Sequence, residues 1–389
     1  MTHSRRSILK RSAGLVAAGT ATSLAGCSGA ADLGSGEFDS GYAAFFTLND
    51  WANEVAGDHA DFEDPVDVGQ LGHGWEPDGN LAAEVASTDA FVYLDSPEFP
   101  WAQDLAATLD ADYDHVAVID ALSGMEDQLL DWDQSHDDHE DEHDDHDEHE
   151  DDHDDHEDDH DDHEDDHDDH EDDHDEHEDE HDDHDEHEDE HDDHDEHEDE
   201  HDDDHDDHDH GQYDPHVWVD PVLAKGVVST IADGLAESDP DNADDYAANA
   251  TAYADELDAV DEAFESIFER ADRDVAVLAG HDSFQYLEAR YGFRLHSPVG
   301  VSPQNEPSQS EIADTIDLVN EEGIDVILYD RFESPTLAET IVENSDATET
   351  MAITPAGGTI REWNDAGYGY VEQMTEINVP AFERAFGVQ

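Results

Sequence analysis

Three histidines stand singly in segments rich in Gly, Pro and Asp: His73 in "GQLGHGWEP", His216 in "YDPHVWVDP" and His281 in "AVLAGHDSF". Neutral imidazoles are the commonest metal ligands, and three of them with one further position free suit Zn²⁺, for binding or for hydrolysis. A second histidine population has another character. From His136 to His210 the chain uses only His, Asp and Glu, with 23 His among 75 residues, and "HDDHDEHEDE" fills 181–190 and again 191–200. The spacings H-x-x-H and H-x-x-x-H, through His181, His184, His187, His191, His194, His197, His205, His208 and His210, supply many weak metal sites. Neighbouring carboxylates raise imidazole pKa values, so protons compete there and binding is loose and pH-dependent. The tract can bury nothing and repels itself, so disorder is expected. A solubilising loop would explain its carboxylates but not its imidazoles.

If His73, His216 and His281 share one task, the fold must unite distant positions. His73 and His216 are 143 residues apart, or 68 without the 75-residue insert, and His216 and His281 are 65 apart. Short apolar runs alternating with amphipathic stretches read as parallel sheets with covering helices. Candidate strands of the first half are 42–47, 65–71, 90–95 and 115–120, separated by the helical patterns "LNDWANEVAG", "GNLAAEVAST" and "PWAQDLAATLDA". A helix over 221–237 leads into 242–271, free of Pro and Gly. There Tyr246, Ala250, Tyr253, Leu257, Val260, Phe264 and Phe268 recur at spacings of three and four, the pattern of one long amphipathic helix. A second series follows at 274–280, 293–299, 325–330 and 349–354, and Ser308 with Glu311 forms a capping-box pattern.

The expected fold class is therefore α/β, with two βα lobes of parallel sheet joined by one long rigid helix. Open α/β sheets bind ligands beyond the carboxyl ends of their strands, which places a metal site in the interlobe cleft. His73 and His281 follow strands, and His216 precedes a helix in a turn stiffened by two prolines and flanking aspartates. His59, His115 and His296 have surface-loop or strand contexts and read as structural.

Outside the tract about 43% of residues are apolar, an ordinary globular share, and the body is large enough for two cores. The tract holds 52 of the 114 acidic residues, leaving 62 against 12 basic ones. Past the amino-terminal segment Lys225 is the only lysine, a composition resembling that of proteins from extreme halophiles. Nucleic acid, which needs a basic footprint, is excluded as a partner. At the amino terminus, "SRRSILKRSAGLVAAGTATSLAGC" has adjacent Arg5 and Arg6, a moderately apolar run and small residues, as in a twin-arginine export signal. "LAGC" resembles a lipobox, with Cys27, the only cysteine, as the lipidated residue. The expected layout is a lipoprotein signal at 1–26, a tether at 27–40 and an N-terminal lobe at 41–240 containing the 136–210 loop. A connecting helix at 241–272 and a C-terminal lobe at 273–389 complete it.

"FFTLNDWANEVAGD" through "GHGWEP", then "DPHVWVDP", "HDSFQYLEARYG" and "VSPQNEPSQSEIADTIDLVNEEGIDVILYDRFESPTLAETIVE" together resemble the solute-binding lipoproteins of zinc ABC importers, over nearly the whole mature chain and in the same order. In that family an acidic, His-rich insert precedes the "DPHVW" motif, and two βα lobes flank a long helix. The resemblance implies that His73, His216 and His281 bind the metal. Manganese-selective relatives have Glu at the third position, so His281 favours Zn²⁺. Where many relatives carry an aspartate ligand near the last strand, "AITPAGG" has Thr354, and a tract imidazole is one candidate for the fourth position. The implied protein is no enzyme. It is a monomeric receptor, lipid-anchored on the extracellular face of the cytoplasmic membrane, that passes Zn²⁺ to an ABC permease and its ATPase. The alternatives are a receptor for manganese or another divalent metal, a free-standing metal buffer, and a zinc hydrolase using Glu76 or Asp282 as general base.

Overall fold

The computed structural model describes residues 38–130, 213–300 and 305–388. Arg5, Arg6, Cys27 and the 136–210 tract lie outside the described residues. The first four strands are β1 (Ser40–Ala43), β2 (Asp61–Glu63), β3 (Ala90–Tyr93) and β4 (Ala117–Asp120), paired in parallel in the order β2-β1-β3-β4. Between them run α1 (Phe46–Ala56), α2 (Leu81–Val85) and α3 (Pro100–Asp112). The second sheet repeats the topology: β5 (Val275–Leu278), β6 (Arg294–His296), β7 (Val326–Asp330) and β8 (Glu349–Ile353) pair in parallel as β6-β5-β7-β8. Two βα lobes of like order therefore make up the body.

Two helices lie between the sheets in sequence. In α4 (Pro221–Ser238) Asp220 caps the start, its Oδ1 accepting from the backbone N–H of Val222 and Leu223 at 2.8 and 3.2 Å, with Pro221 in the first turn where its missing N–H is harmless. The long helix α5 (Ala243–Arg270) spans about 42 Å at 1.5 Å per residue. It buries Tyr246, Ala250, Tyr253, Leu257, Val260, Phe264 and Ile267, while Phe268 is half-buried and stacks on Phe293 with ring centroids 4.2 Å apart. The remaining helices are α6 (Gln285–Tyr291), α7 (Gln309–Glu322), α8 (Thr336–Asn344) and α9 (Arg361–Ala366). A last helical run comprises Tyr370–Glu372, a π turn over Gln373–Asn378, and Val379–Ala385. The Ser308–Glu311 capping box opens α7. Among the described residues no helix is long and apolar enough to cross a membrane.

Two strand expectations need correction. The run at 65–71 is a loop: Pro65 cannot donate to a ladder, and Gly69 sits at a φ of 98°. The second strand is instead the three residues Asp61–Glu63, with only Phe62 buried. Side chains of α1 secure it: Asn53 Oδ1 accepts from Phe62 N at 2.9 Å, and the Asn53 and Asn49 amides donate to Phe62 O at 3.0 and 2.8 Å. Similarly, the run at 42–47 divides into the end of β1 and the start of α1. Thr47, Leu48, Trp51, Ala52 and Val55 bury a helical stripe, and that packing outweighs the β-propensity of Phe46 and Thr47.

Candidate metal centre

The turn carrying His216 is dictated locally. Asp214 Oδ1 accepts the backbone N–H of His216 at 2.9 Å, Val217–Val219 form one 3₁₀ turn, and Asp220 starts α4. Longer contacts bolt the turn in place. Tyr286 on α6 donates its hydroxyl to Asp214 O at 2.7 Å, the Trp218 indole donates to Pro355 O at 2.7 Å, and the Tyr370 hydroxyl donates to Trp218 O at 2.7 Å. His281 lies three residues beyond β5, where Asp282 N donates to Gly300 O at 2.8 Å and the His281 backbone bonds the Glu333 carboxylate. His73 sits in the loop after β2. Gly72 just before it lies against Phe45 and Phe99, where a Cβ would come 2.6 Å from Phe45 Cβ.

These three loops bring the imidazoles together. One ligand nitrogen from each of His73, His216 and His281 lies within 4.8 Å of the others. Ring centroids are 4.8 Å apart for His216 and His281, 5.5 Å for His73 and His281, and 6.0 Å for His73 and His216, with the rings strongly tilted to one another. His216 and His281 are buried and His73 is half-buried.

The protonation pattern suits a cation. Oδ1 of Asp214 already accepts a backbone N–H, so the His216 Nδ1 2.7 Å from it is the donor, which leaves the lone pair on Nε2. That Nε2, like Nε2 of His73, is buried with no hydrogen-bond partner, and such atoms are costly unless something accepts their lone pairs. Burial pushes His216 down to about 3, and burial with the nearby His216 pushes His73 down to about 4, so both rings are neutral at neutral pH. Behind them burial raises the carboxyls of Asp214 and Asp282 to about 7, and burial with the neighbouring Asp282 raises Glu288 to about 8. Three imidazole nitrogens, two of them on rings kept neutral by burial, backed by buried carboxyls fit a Zn²⁺ ion, whose Zn–N bonds are near 2.0–2.1 Å.

The other histidines among the described residues have structural partners: His59 Nε2 meets Asp245 Oδ2, His115 Nε2 meets Ala86 O, and His296 Nε2 meets Thr315 Oγ1, at 2.9–3.0 Å. Thr354 is fully buried and its hydroxyl donates to Gln373 Oε1 at 3.1 Å while accepting from Ala356 N at 2.9 Å, a structural role. Asp282 spends its carboxylate on Phe284 N and the Gln285 side chain, and Glu76 is exposed. The aspartates around His216 are legible as a turn, but the Asp214 bond to the ring is a matter of geometry. Tyr286, 72 residues from the carbonyl it holds, gives no local signal.

Fold and site together define a two-lobed α/β protein, bridged by a long helix, with a candidate three-imidazole metal centre between its lobes. The family model described as zinc-uptake complex component A periplasmic (ZnuA) matches residues 42–385, and the chain belongs to that family. The zinc-binding lipoprotein AdcA of Streptococcus pneumoniae is 25% identical over 346 residues, covering 87% of this chain and 54% of AdcA. The high-affinity zinc uptake system protein ZnuA of Brucella abortus is 32% identical over 155 residues, 40% of this chain and 46% of that protein. The chain thus spans about half the length of the curated relatives it matches. The Zn(II)-bound ZnuA-like domain of S. pneumoniae AdcA shares the fold at a TM-score of 0.61 and 22% identity, over 90% of this chain and 99% of that one. The lipoprotein YcdH of Bacillus subtilis does so at 0.62 and 20%, over 90% and 100%.

Proposed function

We propose that this protein is a zinc receptor that captures Zn²⁺ outside the cell and delivers it to an ABC permease driven by its ATPase, without catalysing a reaction. The observation that carries this is the meeting of His73, His216 and His281, one ligand from each of three loops, with their nitrogens within 4.8 Å. Family membership and the zinc named for the relatives support the same reading. A set of three imidazole ligands favours Zn²⁺ over Mn²⁺, which prefers oxygen ligands. Cys27 is the proposed lipid anchor, behind a twin-arginine signal at 1–26. The 27–40 segment serves as tether, although β1 already begins at Ser40. The lobes at 41–240 and 273–389 act as a monomer about the helix at 241–272, and the 136–210 tract gathers zinc in weak sites and offers it to the centre.

Calorimetric titration of His73→Ala, His216→Ala and His281→Ala tests the site. Each variant should fold and lose the tight site while the weak binding of the tract persists, because the three rings sit in loops and hold no core together. Tight binding retained in any one variant removes that residue from the centre.

A further inference from the structure

The connection between β8 and α9 carries no imidazole or carboxylate, yet it is held from both sides. From its own lobe it is gripped by two fully buried amides of the π turn. Asn378 accepts from Thr354 N at 2.9 Å and donates to Thr354 O at 2.8 Å, while Gln373 accepts from the Thr354 hydroxyl and donates to Gly358 O at 3.0 Å. From the other lobe, Trp218 donates to Pro355 O, the Thr47 hydroxyl to Ala356 O, and Gly69 N to Thr359 O at 2.7 Å. Ala356, at a φ of 56°, is the one non-glycine residue in the left-handed region among the described residues, and it is fully buried. Such a conformation persists where surrounding contacts fix it.

The residues gripped across the seam are those that lead to His73. Gly69 is bonded by its backbone. Leu71 lies 3.6 Å from where a Cβ on Gly357 would be, and a Cβ on Gly358 would stand 2.3 Å from the carbonyl oxygen of Gln70. No side chain larger than hydrogen fits at Gly358 without moving one of the two backbones. Meanwhile His73 is the least buried of the three imidazoles.

We infer that Thr354–Ile360 is a positioning clasp for the metal centre, in which Gly358, held by Gln373, sets the place of the 69–71 backbone and through it of His73. This rests on the reading that His73 binds the metal. In the clasp, Gln373 and Gly358 are positioning residues that never touch the ion. The Thr354 hydroxyl, donating to Gln373 Oε1 at 3.1 Å, pins the clasp to the π turn. Outer partners of metal ligands commonly change affinity about ten- to a hundredfold when altered, which sets the size of effect to look for.

The test uses the full chain and four proteins: wild type, His73→Ala, Gly358→Ala and the double variant. Zn²⁺ affinity is read by competition with a tight chelating dye, and the visible absorption of bound Co²⁺ reports coordination geometry. Gly358→Ala should weaken zinc by roughly ten- to a hundredfold and alter the Co²⁺ bands, while in the His73→Ala background it should change the residual affinity less than about twofold, because contacts acting through one residue are not additive. A Gly358→Ala protein with lower thermal stability but wild-type zinc affinity and Co²⁺ spectrum overturns the clasp. So does an equal loss in both backgrounds. Retention of tight zinc by His73→Ala overturns instead the site reading beneath it. Should Gly358→Ala not fold, Gln373→Met decides by the same readouts. It keeps a side chain of similar length and removes both the acceptor for the Thr354 hydroxyl and the donor to Gly358 O, and unchanged affinity in it overturns the proposal.

Discussion

At the scale of single residues the centre is governed by who keeps a proton. Burial holds His216 near 3 and His73 near 4, so these rings do not take up protons in competition with zinc at any pH above about 5. The carboxyl of Asp214, raised by burial to about 7, is the better competitor. Its Oδ1 accepts two N–H groups and its buried Oδ2 has no partner, so Oδ2 is where a proton sits in the metal-free protein. A dication on the adjacent ring favours the anion and expels that proton, and Asp282, also near 7, adds to the effect. Zinc affinity should therefore be nearly constant above pH 7 and fall below it by about tenfold per unit for each proton expelled, with protons released on binding at pH 6. The sign for the metal-free protein is opposite. A folded-state pKa raised above the unfolded value stabilises fully at low pH, and that contribution is lost as pH rises through about 7. Asp214→Asn keeps the acceptor for both N–H groups and cannot titrate. It should bind zinc about ten- to a hundredfold more weakly above pH 7 and release fewer protons at pH 6. Calorimetry in two buffers of different ionisation enthalpy counts those protons. A wild-type protein that releases none at pH 6 would show that Asp214 is ionised before the metal arrives.

Elements are joined by contacts of the same kind at longer range. Asp50 on α1 accepts from the Tyr253 hydroxyl on α5 at 3.1 Å and from Tyr370 N, at the start of the last helical run, at 3.0 Å, so one carboxylate ties both lobes to the long helix. Burial raises it to about 6, helped by Glu54 and Glu372 and opposed by those two hydrogen bonds. Its stabilising contribution is complete near pH 4 and lost as pH rises through 6. Asp50→Asn, neutral at every pH and still an acceptor, should be more stable than wild type at pH 8 by about 1–2 kcal/mol, and the gain should vanish as pH falls toward 4. Urea unfolding at pH 8 and pH 4.5 measures it, and a destabilised variant at pH 8 would mean that the charge itself makes the latch. Sequence reveals such elements unevenly. The long helix, α4 with its Asp-Pro start, the α7 capping box and the strands of the second lobe are written in local periodicity and caps. β2 is not, since one buried Phe62 among three residues is a strand only because Asn49 and Asn53 hold it. The histidines stand out for their Gly, Pro and Asp surroundings. The clasp does not, because Gly69 and Thr359 meet across 290 residues and nothing beside either shows it.

Across the whole molecule the dominant fact is charge, a net −102 with 114 acidic residues against 12 basic ones. Several of the few cations are committed to bridges between elements: Lys225 to Asp258, Arg270 to Glu383, Arg290 to Asp220 and Arg384 to Glu349. Self-repulsion of this size should make the protein more stable as KCl is added, since the Debye length falls from about 10 Å at 0.1 M to about 3 Å at 1 M. The same salt separates two ways in which the 136–210 tract could help the centre. Its 52 carboxylates attract Zn²⁺ through their field, an effect that salt suppresses, whereas its 23 imidazoles ligate zinc directly and are far less sensitive to screening. Because the tract ends six residues before His216, ions ligated on it would be held at an effective concentration of order mM beside the centre. Deleting 136–210 should therefore leave one tight zinc site, abolish several weak ones, and slow loading at limiting zinc in 0.1 M KCl. In 2 M KCl the full-length protein should keep most of its lead if imidazoles carry the ions. Stopped-flow loading with a zinc-sensitive dye, run on both proteins at both salt concentrations, reads the four rates. A lead that disappears in 2 M KCl assigns the gathering to the carboxylates alone. Equal rates already at 0.1 M, with equal numbers of ions bound, would reduce the tract to a solvated acidic loop.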